Sequence, residues 1–184
     1  DYHLSRLGGL THFYSRFGYE PFPRRYVEFP VQEVHGGTRL IPPIERFTEP
    51  ECPSGALLRP FDEATDWQAR FSLTDRFERG RSGSPEPPRV ARAPINPAPV
   101  DPEKLQFTYE RDGQVTGILF ACESPLEARE GETCFSITNF CHDPDCPEAP
   151  GLLVRKLLSR VAPSAPTRIT SRLPFDETLG EALQ

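Results

Sequence analysis

The stretch "LQFTYERDGQVTGILFACE" constrains the fold of this chain more than any other. Leu105, Phe107 and Tyr109 alternate with polar residues, and Asp112-Gly113 supplies the two positive-φ positions of a type I′ turn. Val115 to Cys122 then reads as a return strand. A β-hairpin here obliges the chain to build a sheet, and its apolar side must be covered. Another strand is expected over Cys134 to Phe140. After it, "PGLLVRKLLSRV" predicts a helix that buries Leu153, Val154, Leu157, Leu158 and Val161. "TRITSRL" reads as a further strand, and Glu177 to Leu183 as a short closing helix.

Upstream of the hairpin, "ALLRPF" reads as a short strand and "DEATDWQARFSLTDRFERG" as a helix. Trp67, Phe71 and Phe77 fall towards one side of it, and its acidic first turn suits the helix dipole. Asp66, Asp75, Glu63 and Glu78 read as a solvated face offset by Arg70, Arg76 and Arg79. Between helix and hairpin, "RGRSGSPEPPRVARAPINPAPVDPEK" is too rich in Pro, Gly and Arg for a regular element and is expected to be a long exposed loop. From about Gly55 the element order is therefore β-α-β-β-β-α-β-α.

The front of the chain differs. Leu10, Phe13, Tyr14 and Phe17 form the apolar stripe of a short helix, with Thr11 as its cap and Gly18 at its end. Val27, Phe29 and Val31 then alternate with Glu28 and Pro30. The prolines at 21, 23 and 30 make such strands edge or bulged ones, not regular central ones. Residues 32–54 show no periodicity and read as a linker, so the expected division is 1–31, 32–54 and 55–184.

Composition narrows the function classes. The net charge of −6 argues against nucleic acid and anionic membranes as partners. No apolar run of membrane-spanning length and no signal-peptide pattern occurs, and an odd set of five cysteines fits reduced thiols, so a cytoplasmic setting is expected. Cys134, Cys141, His142 and Cys146 lack paired zinc knuckles and read as small buried thiols with a neighbouring histidine, with no metal. The arginines at 79, 81, 89 and 92 lack interleaved aromatics, which disfavours RNA binding. His3, His12 and His35 offer candidate bases, but nothing selects one of them. The chain has no methionine and starts at Asp1, from which a fragment of a longer product is expected.

"THFYSRFGYEPFPRRYVEFP" resembles the end of the catalytic domain in the GCN5-related N-acetyltransferase (GNAT) superfamily, whose members carry a helix reading F-Y-x-x-x-G-[FY] followed by a strand pair. The segment from "LLRPFDEATDWQARF" through the "DGQVTGILF" hairpin is similar to the second, degenerate GNAT-like half of bacterial tandem proteins. The resemblance implies a mixed α/β (α+β) fold: the end of one GNAT domain plus a second GNAT-like domain with a mainly antiparallel sheet flanked by helices. It further implies acetyl-CoA as cofactor of the full-length protein and an amine as acceptor. Tyr14 falls at the position of the residue that protonates the departing CoA thiolate, beside Phe13 and Phe17 as cofactor-contacting residues. A phenol with an ordinary pKa near ~10 is protonated at neutral pH and suits that role. The competing reading is a core tyrosine on the same apolar stripe.

One departure is as informative as the matches. The family grips the CoA pyrophosphate with backbone N–H groups of a [QR]-x-x-G-x-[GA] loop at a helix N-terminus. No copy of it occurs here. "RLGGLT" comes within one residue but abuts the tyrosine helix. In the second half the equivalent turn reads "CHDPDCPEAPG", where prolines and acids replace open N–H groups. The implied partners are thus an amine substrate, the missing N-terminal part of the first domain and a possible second copy in a homo-oligomer. A non-enzymatic scaffold that retains a GNAT-like shape is the alternative. No G-x-S-x-G elbow or P-loop points to an unrelated hydrolase or transferase.

Overall fold

The computed structural model describes residues 27–30, 33–35, 38–40, 48–78, 93–161, 167–171, 173 and 177–183, the first three segments and 177, 180 and 183 by backbone alone. Tyr14, Phe13 and Phe17 lie outside these residues, as do most of the first segment and residues 79–92 of the Pro-rich loop. The elements are β1 (Val27–Pro30), β2 (Glu33–His35), β3 (Thr38–Leu40), β4 (Ala56–Pro60), α1 (Glu63–Glu78), β5 (Gln106–Arg111), β6 (Gln114–Glu123) and a 3₁₀ turn (Pro125–Glu127). They continue with β7 (Thr133–His142), α2 (Ala149–Arg160), β8 (Thr167–Ser171) and α3 (Glu177–Leu183). From β4 onward the order is the one expected from the sequence.

The fold is mixed α/β, built on a six-stranded sheet in the order β1-β8-β7-β6-β5-β4. Its neighbours are antiparallel except β7 and β8, which run parallel and are joined by α2 as a crossover. The Asp112-Gly113 turn closes β5 on β6 with φ of 51° and 77°, the two positive values the sequence required. β1 hydrogen-bonds to β8 along Val27–Pro30, so this strand of the first segment is the outer edge of the same sheet that the second segment builds. Pro30 sits where edge strands tolerate it. At the opposite edge, Pro60 has no N–H, and Ala56 N–H is already given to the Pro53 carbonyl. That edge offers an added strand little to pair with.

The two sheet faces differ. On one, α2 lays Leu153, Val154, Leu157 and Leu158 against Phe107, Tyr109, Leu119, Ile137, Phe140 and Ile169, with Val161 and α3's Leu179 completing the layer. This is the helix face expected from the spacing. Gly117 allows the approach. A Cβ there would lie 2.9 Å from Leu153 Cδ1 and 3.2 Å from Ala149 Cβ. On the other face, α1 covers a smaller cluster of Phe61, Leu73, Ile118, Phe120 and Cys141, with Phe77 packed at its end.

Three expectations are corrected. The side of α1 against the sheet carries Asp66 and Leu73 fully buried, while Trp67, Phe71 and Phe77 are each half-buried. The helix turns to bury Leu73 because Asp66 is fastened inward, as described below. Asp66 itself is not on a solvated face: it is 2% exposed. Finally, the stretch read as an unstructured linker contains the hairpin β2–β3, with His35 opposite Thr38. Two glycines separate those residues in the sequence, a turn signal that the missing hydrophobic alternation obscured.

Candidate functional site

Where the resemblance places a phosphate-binding loop, between β7 and α2, the chain builds a closed turn. Asp143 N–H donates to the Thr116 carbonyl at 2.8 Å, Cys146 N–H to the Asp143 carbonyl at 3.0 Å, and Ala149 N–H to the Cys146 carbonyl at 3.1 Å. Asp145 N–H donates to Asp143 Oδ1 at 3.2 Å. Pro144, Pro147 and Pro150 have no N–H to offer. An anion cradle needs several open N–H groups pointing at one place. Here three positions are proline, and the N–H groups of Asp143, Asp145, Cys146 and Ala149 are spent within the fold. That leaves those of Glu148 and Gly151 among the carboxylates of Asp143, Asp145 and Glu148. The start of α2 is a poor anion site as well, because Glu148 puts a carboxylate there and Pro150 removes a first-turn donor.

The acids of this turn are held locally. Asp143 pairs with Arg76 of α1 at 3.0 Å. Glu148 accepts from Arg111 and, at 3.2 Å, from the Tyr109 hydroxyl. Tyr109 is fully buried, and that burial, reinforced by the Cys146 and Cys52 thiols nearby, pushes its phenol up from the ordinary value despite the opposing Arg111 charge. A phenol so enclosed touches no substrate. Its role is to hold Glu148 and the start of α2 onto the β5–β6 hairpin. The described turn therefore does not fit a CoA diphosphate.

The cysteine–histidine set does not converge either. Cys141 lies under α1, its Sγ 3.6 Å from Thr74 Oγ1. The His142 ring packs edge-on against Phe77, centroids 5.1 Å apart, and lies beside Phe140. Its Nδ1 is 3.2 Å from the Asp143 carbonyl and its Nε2 3.2 Å from Thr178 Oγ1, which ties α3 to the end of β7. Nδ1–H donating to the carbonyl and Nε2 accepting from the hydroxyl satisfies both nitrogens of a neutral ring. Cys134 sits in a third place, near Thr170, where burial raises its thiol. Among the described residues no three metal-ligating side chains gather. No helix of the described residues is long and apolar enough to cross a membrane.

Sequence reasoning missed the polar network between α1 and the sheet. Asp66 Oδ2 and Oδ1 accept from Arg59 at 2.7 and 2.9 Å, and Arg59 also reaches Glu110 at 3.0 Å. Thr108 Oγ1 and the Asp62 N–H donate to Asp66 as well, at 3.2 and 3.0 Å. Burial alone would raise the Asp66 carboxyl, but the Arg59 hydrogen bonds and charge, with the Asp62 and Thr108 donors, hold it below the ordinary carboxylate range. Asp66, with Glu110 behind it, raises the Arg59 guanidinium against its own burial. With both oxygens of Asp66 engaged, this network fastens α1 and does not leave that carboxylate free to act as an acid or base. The clue in the sequence was Asp62, four residues before Asp66, which caps α1 by accepting from Ala64 N–H.

No family model and no curated protein matches this chain. Among solved structures it is similar to a GCN5-related N-acetyltransferase from Sphaerobacter thermophilus, with a TM-score of 0.44 and 14% identity. That alignment covers 93% of this chain and 50% of the other, so the chain spans about half the length of the structure it matches.

Proposed function

We propose that this chain is the C-terminal part of an acetyl-CoA-dependent N-acetyltransferase that acts on an amine. In this reading residues 1–31 complete the catalytic domain. Tyr14 holds the proton that the leaving thiol takes up, and Phe13 and Phe17 lie beside the cofactor. Residues 55–184 form the degenerate half, whose work is structural: shaping the acceptor pocket or an oligomer interface. The chain alone is inactive and acts with the rest of its first domain, in a cytoplasmic setting. The tyrosine-helix motif and the β-α-β-β-β-α-β-α order support the family. The division of labour rests on one observation, the β7–α2 turn in which most N–H groups are spent or replaced by proline and three carboxylates stand close by.

The test is Tyr14→Phe in a protein that contains the whole first domain. A general acid typically contributes about 10²–10⁴-fold, so kcat should fall by about that factor while acetyl-CoA affinity stays near its original value. An unchanged kcat would remove Tyr14 from the chemistry. The same closed turn also suits a second reading, a GNAT-like scaffold without activity. The residues encoded upstream of Asp1 separate the two: a strand followed by [QR]-x-x-G-x-[GA] supports the enzyme, an unrelated domain the scaffold.

A further inference from the structure

The α1 side of the sheet holds a spot rich in donors and poor in acceptors. Phe61 and Phe120 meet edge to face with centroids 4.8 Å apart. The Arg70 guanidinium carbon lies 4.7 Å from the Phe120 centroid and 6.0 Å from that of Phe61. Ring faces favour the cation but supply no oxygen for its N–H groups. Asn139 is the direct partner of Phe120 across the β6–β7 ladder, so the two side chains leave the sheet on the same side. Asn139 Oδ1 lies 3.9 Å from Cys141 Sγ, and that thiol touches Thr74, one turn beyond Arg70 on α1. Arg70, Thr74, Cys141 and Asn139 thus ring the Phe120 side chain.

Among the described residues, neither the Arg70 guanidinium nor the Asn139 NH₂ has an oxygen acceptor. The carboxylate one turn earlier, Asp66, is committed to Arg59. Both donors are half-buried and so remain open to water on one side. We propose that Arg70 and Asn139 bind a carboxylate beside the Phe61–Phe120 pair. A planar guanidinium fork and an amide match two coplanar oxygens. A single cation matches a single negative charge, whereas the net charge of −6 opposes a polyphosphate. The carboxylate belongs either to a small organic acid or to an acidic side chain of a peptide. The site is independent of the acyltransferase reading.

Trp67 is the single tryptophan and precedes Arg70 by three residues on the same helix, which makes it a built-in reporter. The chain would be titrated with succinate and with a blocked hexaglutamate peptide, against sodium chloride at matched ionic strength. Trp67 fluorescence and the Asn139 side-chain amide resonances would be followed together. Saturable changes are expected with a carboxylate, weakened at least tenfold in Arg70→Met. Whichever probe binds more tightly identifies the source of the group. Should Arg70→Met fail to fold by circular dichroism, Arg70→Lys, which keeps the charge and loses the fork, and Asn139→Ala are read instead, each with weakened binding. A response that only tracks ionic strength, or equal affinity in the folded variants, overturns the proposal.

Discussion

Asp66 of α1 and Arg59 of β4 join through two hydrogen bonds of 2.7 and 2.9 Å, and the carboxylate is almost wholly enclosed. This contact determines how α1 sits on the sheet. Removing one partner strands the other charge in a poorly hydrated place, which costs about 3–5 kcal/mol. Arg59→Met, which leaves the enclosed Asp66 carboxylate without its cation, should therefore lower unfolding stability by about that amount in urea. The double change Arg59→Met with Asp66→Leu should recover most of the loss.

The same pair sets an acid limit. The folded carboxyl of Asp66 titrates below its unfolded value, which lies near ~4. Its stabilisation is thus fully present above that pH and is lost as pH falls through the folded value. Urea midpoints measured from pH 6 down to pH 2 should drop more steeply for the native chain than for the Arg59→Met, Asp66→Leu variant.

Tyr109 gives the opposite limb. Its buried phenol titrates above the unfolded value near ~10, so stability is full below that pH and declines as pH rises towards the folded value. Tyr109→Phe removes the hydrogen bond to Glu148, at a cost of about 0.5–1.5 kcal/mol at neutral pH. It should also flatten the alkaline decline between about pH 9 and 11 in thermal melts.

Gly117 is a packing requirement. Because a Cβ would crowd Leu153 and Ala149, Gly117→Ala should cost about 1–3 kcal/mol. Leu153→Ala empties a fully buried position and should cost about 2–5 kcal/mol. Leu153→Ala combined with Gly117→Ala should cost less than the sum of the two, since the shortened side chain yields the space that the new methyl takes. Chemical denaturation of the three variants checks this.

Local signals made much of the fold legible. Asp112-Gly113 announced the hairpin, and the spacing from Leu153 to Val161 fixed the buried face of α2. What sequence could not show was pairing over distance. β1 joins β8 across some 140 residues, and no local pattern encodes that register. Asp66 was misread for a related reason: an acid in a first helical turn ordinarily faces water, and its partners Arg59 and Thr108 come from two strands. At the candidate site, "CHDPDCPEAPG" was informative because proline lacks a donor wherever it is placed. The residues assigned to catalysis, led by Tyr14, lie outside the described part of the chain.

Titration calorimetry of the 184-residue chain with acetyl-CoA tests the central claim most directly, namely that the β7–α2 turn cannot grip a diphosphate. The account predicts no saturable heat at micromolar concentrations of the cofactor. A micromolar complex, with amide shifts from Asp143 to Gly151 marking the diphosphate, would contradict it.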